Sequence, residues 1–92
     1  MSLKPEGVCE SCGASGATET AHIKSRGAGG GDEWWNLLEL CAFCHRLGGK
    51  KSQHGWGWGS MIERRPFLRK ALKVRGWEWE WFHGKFLMRR KA

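Results

Sequence analysis

Two Cys-x-x-Cys pairs constrain the fold of this 92-residue chain more than any other feature. Cys9 and Cys12 form the first pair, Cys41 and Cys44 form the second, and 28 residues separate the two pairs. Each pair can offer two thiolates to one tetrahedral zinc ion, with Zn–S distances near ~2.3 Å. Two disulfides are the alternative, but they need an oxidising compartment, and residues 1–4 lead into no apolar signal segment. Because the core of so short a domain is small, a staple is expected, and we predict structural Zn²⁺ held by these four cysteines.

The net charge of +7 lies entirely in the C-terminal third of the chain. Residues 1–59 carry six Lys or Arg against six Asp or Glu, whereas residues 60–92 carry ten against three. This asymmetry suits a polyanionic partner, because each neutralised phosphate releases condensed counterions. A solvated basic face without a partner is the alternative. No run approaches the ~18 apolar residues of a membrane span, so we expect a soluble, cytoplasmic protein without a membrane partner or an organic cofactor.

The local patterns of residues 9–54 predict a small α+β unit. Residues 18–23 are short, β-prone and bounded by turn residues, which is typical of a strand. Four glycines within residues 27–32 require a loop. Residues 36–40 form a second predicted strand, and a helix over residues 42–47 follows it and ends at two glycines. The predicted order is strand, glycine loop, strand and helix, with a cysteine pair at each end. Residues 1–7 are expected to be a loose N-terminus.

The basic C-terminal region predicts a helix. Ser60 and Glu63 have the spacing of a capping box, but Pro66 follows so soon that the main helix is expected to begin there. Its apolar stripe consists of Phe67, Leu68, Ala71 and Leu72, and Gly76 ends it.

A second hairpin is predicted after this helix. Residues 77–81 alternate Trp and Glu with period two, a strand pattern, and His83 and Gly84 form the turn that leads back through residues 85–88. His83 is therefore expected at the surface. Burial explains Trp77, Trp79 and Trp81 best in so small a domain. For Trp56 and Trp58, which lie in a glycine-rich run, burial and stacking on nucleic-acid bases stay open as equal alternatives.

Three histidines and one asparagine occupy positions at which they can share a site. His22 ends the first predicted strand, and Asn36 opens the second, so a hairpin brings them together. His45 directly follows Cys44, and His54 comes nine residues later. Because Cys44 must face the zinc, His45 points elsewhere and is free to bind another ligand.

In these elements the chain resembles the HNH (His-Asn-His) endonucleases, whose core is a ββα-metal hairpin and helix. The matching residues are Ala21-His-Ile-Lys-Ser-Arg-Gly-Ala-Gly-Gly30, Asn36-Leu-Leu-Glu-Leu-Cys41 and Cys44-His45, flanked by the two cysteine pairs. The resemblance implies a DNA endonuclease that hydrolyses phosphodiester bonds with one divalent ion, leaving 5′-phosphate and 3′-hydroxyl ends. We expect one HNH domain over residues 1–92, with a core over 9–54 and a basic, Trp-rich extension over 55–92. Since it holds one constellation, it is expected to nick one strand as a monomer.

The resemblance also implies the catalytic roles. His22 matches the general base that activates water, Asn36 matches the residue that fixes the base and tightens the loop, and His45 matches a metal ligand. His54 is the candidate for a second ligand, although its gap from His45 is longer than usual. Imidazole ligands favour Mn²⁺ or another transition metal over Mg²⁺, which can serve the same chemistry. Phosphates are expected to be gripped by six cationic residues: Lys24, Arg26, Lys50, Lys51, Arg64 and Arg65.

One position departs from the family pattern. Many members carry a metal-binding Asp or His before the general base, and here that residue is Ala21. Glu19 shares the strand face of Ala21 but lies ~6.6 Å further from the site, so it is not expected to be a strong ligand. Two alternatives therefore stay open: a non-catalytic zinc ribbon that binds DNA or RNA, and a zinc-organised protein-interaction module.

Overall fold

The computed structural model describes residues 7–91, so the expected loose N-terminus falls almost wholly outside the described residues. Its regular elements, in chain order, are β1 (Glu19–His22), β2 (Leu37–Leu40), α1 (Trp58–Arg64), α2 (Pro66–Val74), β3 (Trp77–Phe82) and β4 (Lys85–Arg90). Short helical turns lie at Arg26–Ala28, Trp34–Asn36, Phe43–Leu47 and Gly49–Lys51. The predicted small α+β class is confirmed, with two antiparallel hairpins and a cysteine cluster.

The first hairpin pairs β1 with β2 in the register Ala21 with Leu38 and His22 with Leu37. Both strands are shorter than predicted, although the Ile23 N–H donates to the Asn36 carbonyl at 2.8 Å and extends the pairing by one step. Asn36 itself belongs to the 3₁₀ turn Trp34–Asn36, because its N–H bonds back to the Glu33 carbonyl and its side chain turns inward. The asparagine therefore precedes the strand that it was expected to open.

The turn after the second cysteine pair is helical, as predicted, but it is a π-helix over Phe43–Leu47. The Gly48 N–H donates to the Phe43 carbonyl at 2.7 Å, five residues back, and thus closes the wider π turn. His45 lies in its middle.

Two helices follow, separated at Arg65 by the proline that begins the second one. Arg65 is extended, with φ −128° and ψ 95°, because a residue that precedes proline avoids the helical region. α1 begins two residues before the expected Ser60, and α2 begins at Pro66 as predicted. Of the predicted apolar stripe, Leu68 and Leu72 are fully buried, whereas Phe67 is exposed.

The second hairpin has the predicted strands and turn. Trp77 pairs with Arg90 and Trp81 pairs with Phe86. His83 and Gly84 both have positive φ angles, 51° and 75°, as a two-residue turn matched to the twist of the strands requires. His83 is exposed, as expected.

One cluster of buried side chains joins the two halves of the chain. It comprises side chains of both hairpins, both α-helices and the cysteine pairs: Cys9, Ala21, Ile23, Leu38, Leu40, Cys44, Met61, Ile62, Leu68, Leu72 and Trp77. Arg75 reinforces this junction, because its guanidinium bonds Glu10 at 2.8 Å and the Leu37 carbonyl at 3.0 Å. The positive charge of Arg75, which is part of the C-terminal excess, is thus paired within the protein. Within residues 7–91, none of the helices has the length and apolar character that a transmembrane span requires.

Candidate functional site

The four cysteine sulfurs form one cluster. All four Sγ atoms lie within 4.8 Å of one another, and those of Cys12 and Cys41 are 3.9 Å apart. A tetrahedral zinc ion with Zn–S bonds of ~2.3 Å spaces its sulfurs about 3.8 Å apart. The Ser11 N–H points at the Cys9 sulfur at 3.4 Å, and the Cys44 N–H points at the Cys41 sulfur at 3.5 Å. The donor set and its spacing therefore fit structural zinc.

The thiols of this cluster do not ionise equally. Burial would raise the pKa of Cys9, but backbone N–H groups, foremost those of Cys12 and Cys41, outweigh it and lower this pKa to about 7. Burial raises the pKa of Cys44 far above its usual range, and the charge of Cys9 raises it further. The Cys9 thiolate thus forms readily, whereas ionisation of Cys44 requires a bound cation.

His22 lies at the end of β1 beside an acidic residue of the glycine-rich loop. Its Nε2 is 2.8 Å from Oδ1 of Asp32. The hydrogen bond from His22, together with the charge of Arg26, holds the pKa of Asp32 below its usual value. An ionised carboxylate only accepts hydrogen bonds, so Nε2 of His22 is the protonated nitrogen, and the lone pair of a neutral ring lies on Nδ1.

Asn36 ties the two ends of the glycine-rich loop together. It is fully buried, with 0% of its surface exposed. Its Oδ1 accepts from the Lys24 N–H at 2.8 Å, and its Nδ2 donates to the carbonyls of Lys24 at 3.0 Å and Gly31 at 2.8 Å. All three bonds hold backbone just beyond His22, so this amide fixes the loop that carries Asp32.

His45 and His54 form a pair of facing imidazoles. Their Nε2 atoms are 3.2 Å apart. The other ring nitrogen of His45, Nδ1, is 2.8 Å from Oε1 of Glu19. Hydrogen bonds from Arg46 and His45 lower the pKa of Glu19 to about 2, so this carboxylate is ionised and accepts the Nδ1 proton. The lone pair of a neutral His45 is thereby placed on Nε2, facing His54.

This pair has the geometry of two metal ligands. Two nitrogens 3.2 Å apart, each ~2.1 Å from one ion, subtend an angle of about 100° at it. A carboxylate behind a ligating imidazole is the usual way in which a metal site fixes the ring. The spacing of these two nitrogens is therefore compatible with a shared divalent transition-metal ion.

Ala21 supplies nothing to such an ion. Its methyl group is 1% exposed and belongs to the core. Across residues 7–91, the cysteine cluster is the sole group of three or more His, Cys, Asp or Glu whose donor atoms approach closely enough to hold a metal. An ion between His45 and His54 would thus complete its shell with water or substrate oxygens.

A glutamine links the His54 segment to the strand that carries His22. Nε2 of Gln53 donates to the His22 carbonyl at 3.1 Å, and the His54 N–H donates to the His45 carbonyl at 3.0 Å. The longer gap between His45 and His54 is taken up by the turn Gly49–Lys51.

The six residues predicted to contact phosphates have different surroundings. Lys24 and Lys51 are exposed, and the ammonium of Lys50 lies 4.7 Å from the centre of the Trp56 ring. Arg26 pairs with Asp32 at 3.3 Å. The remaining two lie at the end of α1: Arg64 bonds the Ser60 carbonyl and hydroxyl, both at 3.1 Å, and Arg65 is half-buried.

Sequence reasoning missed the contacts of two acidic residues. Asp32 was assigned only to the loop, and Glu19 was considered only as a direct metal ligand. The structure pairs Glu19 with His45 across 26 residues of sequence, a separation that no local pattern reveals. For Asp32, the sequence offered one indication, because this acidic residue lies between the candidate base His22 and Asn36.

A family model described as HNH endonuclease matches residues 9–51. The match includes all four cysteines together with His22, Asn36 and His45, and it ends before His54. Comparison with curated proteins and with solved structures gives no match.

Proposed function

We propose that this protein is a metal-dependent DNA endonuclease that hydrolyses phosphodiester bonds, because residues 9–51 match the HNH endonuclease family model. We regard residues 1–92 as one nuclease domain, with its core over 9–54 and a basic, Trp-rich extension over 55–92. The facing Nε2 atoms of His45 and His54, 3.2 Å apart with a carboxylate behind His45, carry the proposal. Structural zinc on the four cysteines is separate from this second site.

His22 acts as the general base in this proposal. Asp32 occupies Nε2, so Nδ1 takes the proton of the attacking water. The resulting imidazolium is stabilised by the Asp32 carboxylate, which also holds the ring in one orientation. Asn36 acts indirectly, because it holds the backbone of Lys24 and Gly31 around this pair.

His45 and His54 would hold the catalytic ion through their Nε2 atoms. A divalent ion bound there would neutralise charge on the scissile phosphate and on the departing 3′-oxygen. Two imidazole donors favour Mn²⁺ over Mg²⁺. Glu19 supports the site by accepting the Nδ1 proton of His45, and Arg46 keeps Glu19 ionised.

The expected stoichiometry follows from the number of sites, and the expected products follow from the family resemblance. With one set of catalytic residues, a monomer nicks one strand and leaves 5′-phosphate and 3′-hydroxyl ends. Phosphates on either side are gripped by the predicted cationic residues: Lys24, Arg26, Lys50, Lys51, Arg64 and Arg65.

Incubation with supercoiled plasmid, with and without Mn²⁺, tests the proposal. A matched pair of variants sharpens it: His22→Asn removes the base, and His83→Asn makes the same change at an exposed turn residue. We expect Mn²⁺-dependent nicking by the wild type and by His83→Asn, with a loss of at least a hundredfold in His22→Asn. Equal activity of the two variants would contradict the role of His22.

A non-catalytic zinc ribbon that binds DNA or RNA is the second candidate. The observation that favours it is the buried methyl group of Ala21, which leaves two protein donors for an ion. The same experiment separates the candidates, since a binding module retards plasmid DNA without converting it to relaxed circles at any divalent ion tested.

A further inference from the structure

Two adjoining clefts are lined by aromatic rings, and we call them together the aromatic groove. The first, of about 600 Å³, includes Lys24, Trp35 and Arg90 in its lining. The second, of about 480 Å³, includes Trp56 and Trp81. Trp58 and Phe86 line both clefts, so the surface is continuous from one to the other.

Several of these rings are not buried in the core. Trp56 is 65% exposed and Trp81 is 53% exposed, although such large side chains contribute most to stability when they are buried. Trp77, in contrast, is buried, and its indole N–H donates to the Trp35 carbonyl at 2.7 Å. Trp77 therefore belongs to the core, as expected, whereas the expected burial of Trp81 is wrong. Trp56 and Trp81 each keep more than half of their surface exposed.

Positive charge accompanies this aromatic surface. Lys24 and Arg90 line the first cleft together with Arg89, which is paired with Glu78 at 3.1 Å and Glu80 at 3.8 Å. Among the described residues that line the groove the sole carboxylate is Glu63, in the second cleft. The Lys50 ammonium lies 4.7 Å from the centre of the Trp56 ring. Exposed rings interleaved with cations match a chain of phosphates and π faces, which is the chemistry of nucleic acid.

The groove includes residues that follow the proposed general base in sequence. Lys24 is two residues from His22, and the Asn36 side chain holds the Lys24 backbone by two hydrogen bonds, of 2.8 and 3.0 Å. The second cleft begins at Trp56, two residues after His54. Each cleft is therefore lined by a residue that lies two positions in sequence from a proposed catalytic residue, Lys24 from His22 and Trp56 from His54.

We propose that the aromatic groove binds unpaired DNA bases by stacking, so that the preferred substrate is single-stranded or locally melted DNA. This inference rests on the proposed nuclease function and specifies its substrate. In a duplex the faces of the bases are covered by their neighbours, and only unpaired bases can present them to Trp56 and Trp81. A second copy of this chain is a poorer occupant, because each copy carries a net charge of +7.

Fluorescence anisotropy with labelled oligonucleotides tests the inference without cleavage. The full chain, loaded with zinc and without added Mn²⁺ or Mg²⁺, is titrated with a 15-nucleotide thymidine strand and with a 15-base-pair duplex at one salt concentration. Trp56→Ala and Trp81→Ala probe the groove. Trp34→Ala is the matched control, because Trp34 is 62% exposed and lines neither cleft.

We expect the wild type to bind the single strand at least tenfold more tightly than the duplex. Trp56→Ala and Trp81→Ala should each weaken single-strand binding about five- to tenfold, and Trp56→Phe should restore most of the loss. Duplex binding in both variants, and single-strand binding in Trp34→Ala, should change less than twofold. Thermal unfolding verifies that each variant is folded.

Three results would overturn the inference: duplex binding as tight as single-strand binding, groove variants that bind like Trp34→Ala, or concentration-dependent self-association that Trp56→Ala abolishes. The last would assign the groove to a second copy of the chain. Failure of this inference about the groove is distinguishable from failure of the nuclease proposal. Plasmid nicking without single-strand preference removes only the inference, and single-strand binding without nicking removes only the nuclease.

Discussion

Nε2 of His22 and Oδ1 of Asp32 lie 2.8 Å apart, although the two residues are ten positions apart in sequence and a glycine-rich loop lies between them. The carboxylate fixes which ring nitrogen carries the proton, because it can only accept. His22 therefore presents the lone pair of Nδ1, and a hydrogen bond made outside the strand decides which atom of the base is reactive.

Replacing Asp32 tests this orientation. We expect Asp32→Asn to lower kcat about ten- to a hundredfold with little change in KM, because the amide no longer enforces one tautomer of His22. The hydrogen bond from His22 keeps the pKa of Asp32 below its usual value. The contribution of this carboxylate to the orientation of His22 is therefore fully present above about pH 4 and is lost only as the pH falls further. Glu33→Gln removes the same charge one residue away and is the control. Equal kcat values for the two variants would show that Asp32 does not orient the base.

Glu19 is expected to act on metal affinity through His45. Calorimetric titration with Mn²⁺ should give a Kd on the order of tens of micromolar or weaker for the wild type. Glu19→Gln should weaken it about tenfold, because a neutral amide accepts the His45 proton less strongly than a carboxylate does. Glu80→Gln, an exposed site on the second hairpin, should leave it unchanged. Complete loss of binding in Glu19→Gln would make Glu19 a direct ligand instead.

The buried amide of Asn36 should contribute more to the free energy of unfolding than the exposed side chain of Trp34 in the same turn. Asn36→Ala removes three hydrogen bonds and leaves one N–H and two carbonyls of the loop without partners. We expect a loss of about 2–4 kcal/mol in the free energy of unfolding. Trp34→Ala, an exposed change within Trp34–Asn36, should cost less than about 0.5 kcal/mol. Denaturant titration of both variants measures the difference, and similar midpoints would contradict this account.

Zinc is expected to stabilise the fold as a whole. Cys41→Ser should unfold or aggregate the protein, because much of the folding free energy of so small a domain comes from metal ligation. Val74→Ser, at an exposed helical position, should retain the wild-type thermal transition. Since protons compete for the thiolates, zinc affinity should fall as the pH drops, and more steeply below about 7, where the Cys9 thiol also takes up its proton. A normal transition in Cys41→Ser, or zinc affinity independent of pH, would contradict a tetra-thiolate site.

Cleavage of supercoiled plasmid should proceed one strand at a time. Relaxed circles are expected first, and linear DNA later from independent nicks, because one monomer carries one site. The rate should fall steeply as salt rises, since cationic residues supply the binding energy through counterion release. Gel electrophoresis over time measures both effects. Linear product at the earliest times would indicate a dimer with two coordinated sites.

The sequence by itself determined the local elements and the residue types of the site. The two cysteine pairs predicted the zinc cluster. The glycine-rich loop predicted the first hairpin, and the period-two Trp-Glu run predicted the second. These predictions succeed because turn chemistry and ligand spacing act over a few residues. The ends of the strands differ from the predicted ends by one or two residues where side-chain hydrogen bonds hold the backbone in another conformation. Asn36, for example, folds into a 3₁₀ turn because its amide bonds backbone across the loop.

Only the tertiary structure decided which partners these residues meet. Asp32 reaches His22 and Glu19 reaches His45, and the half-buried guanidinium of Arg75 pairs with Glu10, 65 residues away in sequence. The tryptophans divide in the same way, since Trp77 is in the core and Trp56 is not. Side-chain type sets what a residue can bind, but distance and burial decide what it does bind. Both depend on how the two hairpins and the helices pack around one small core, which no local pattern encodes.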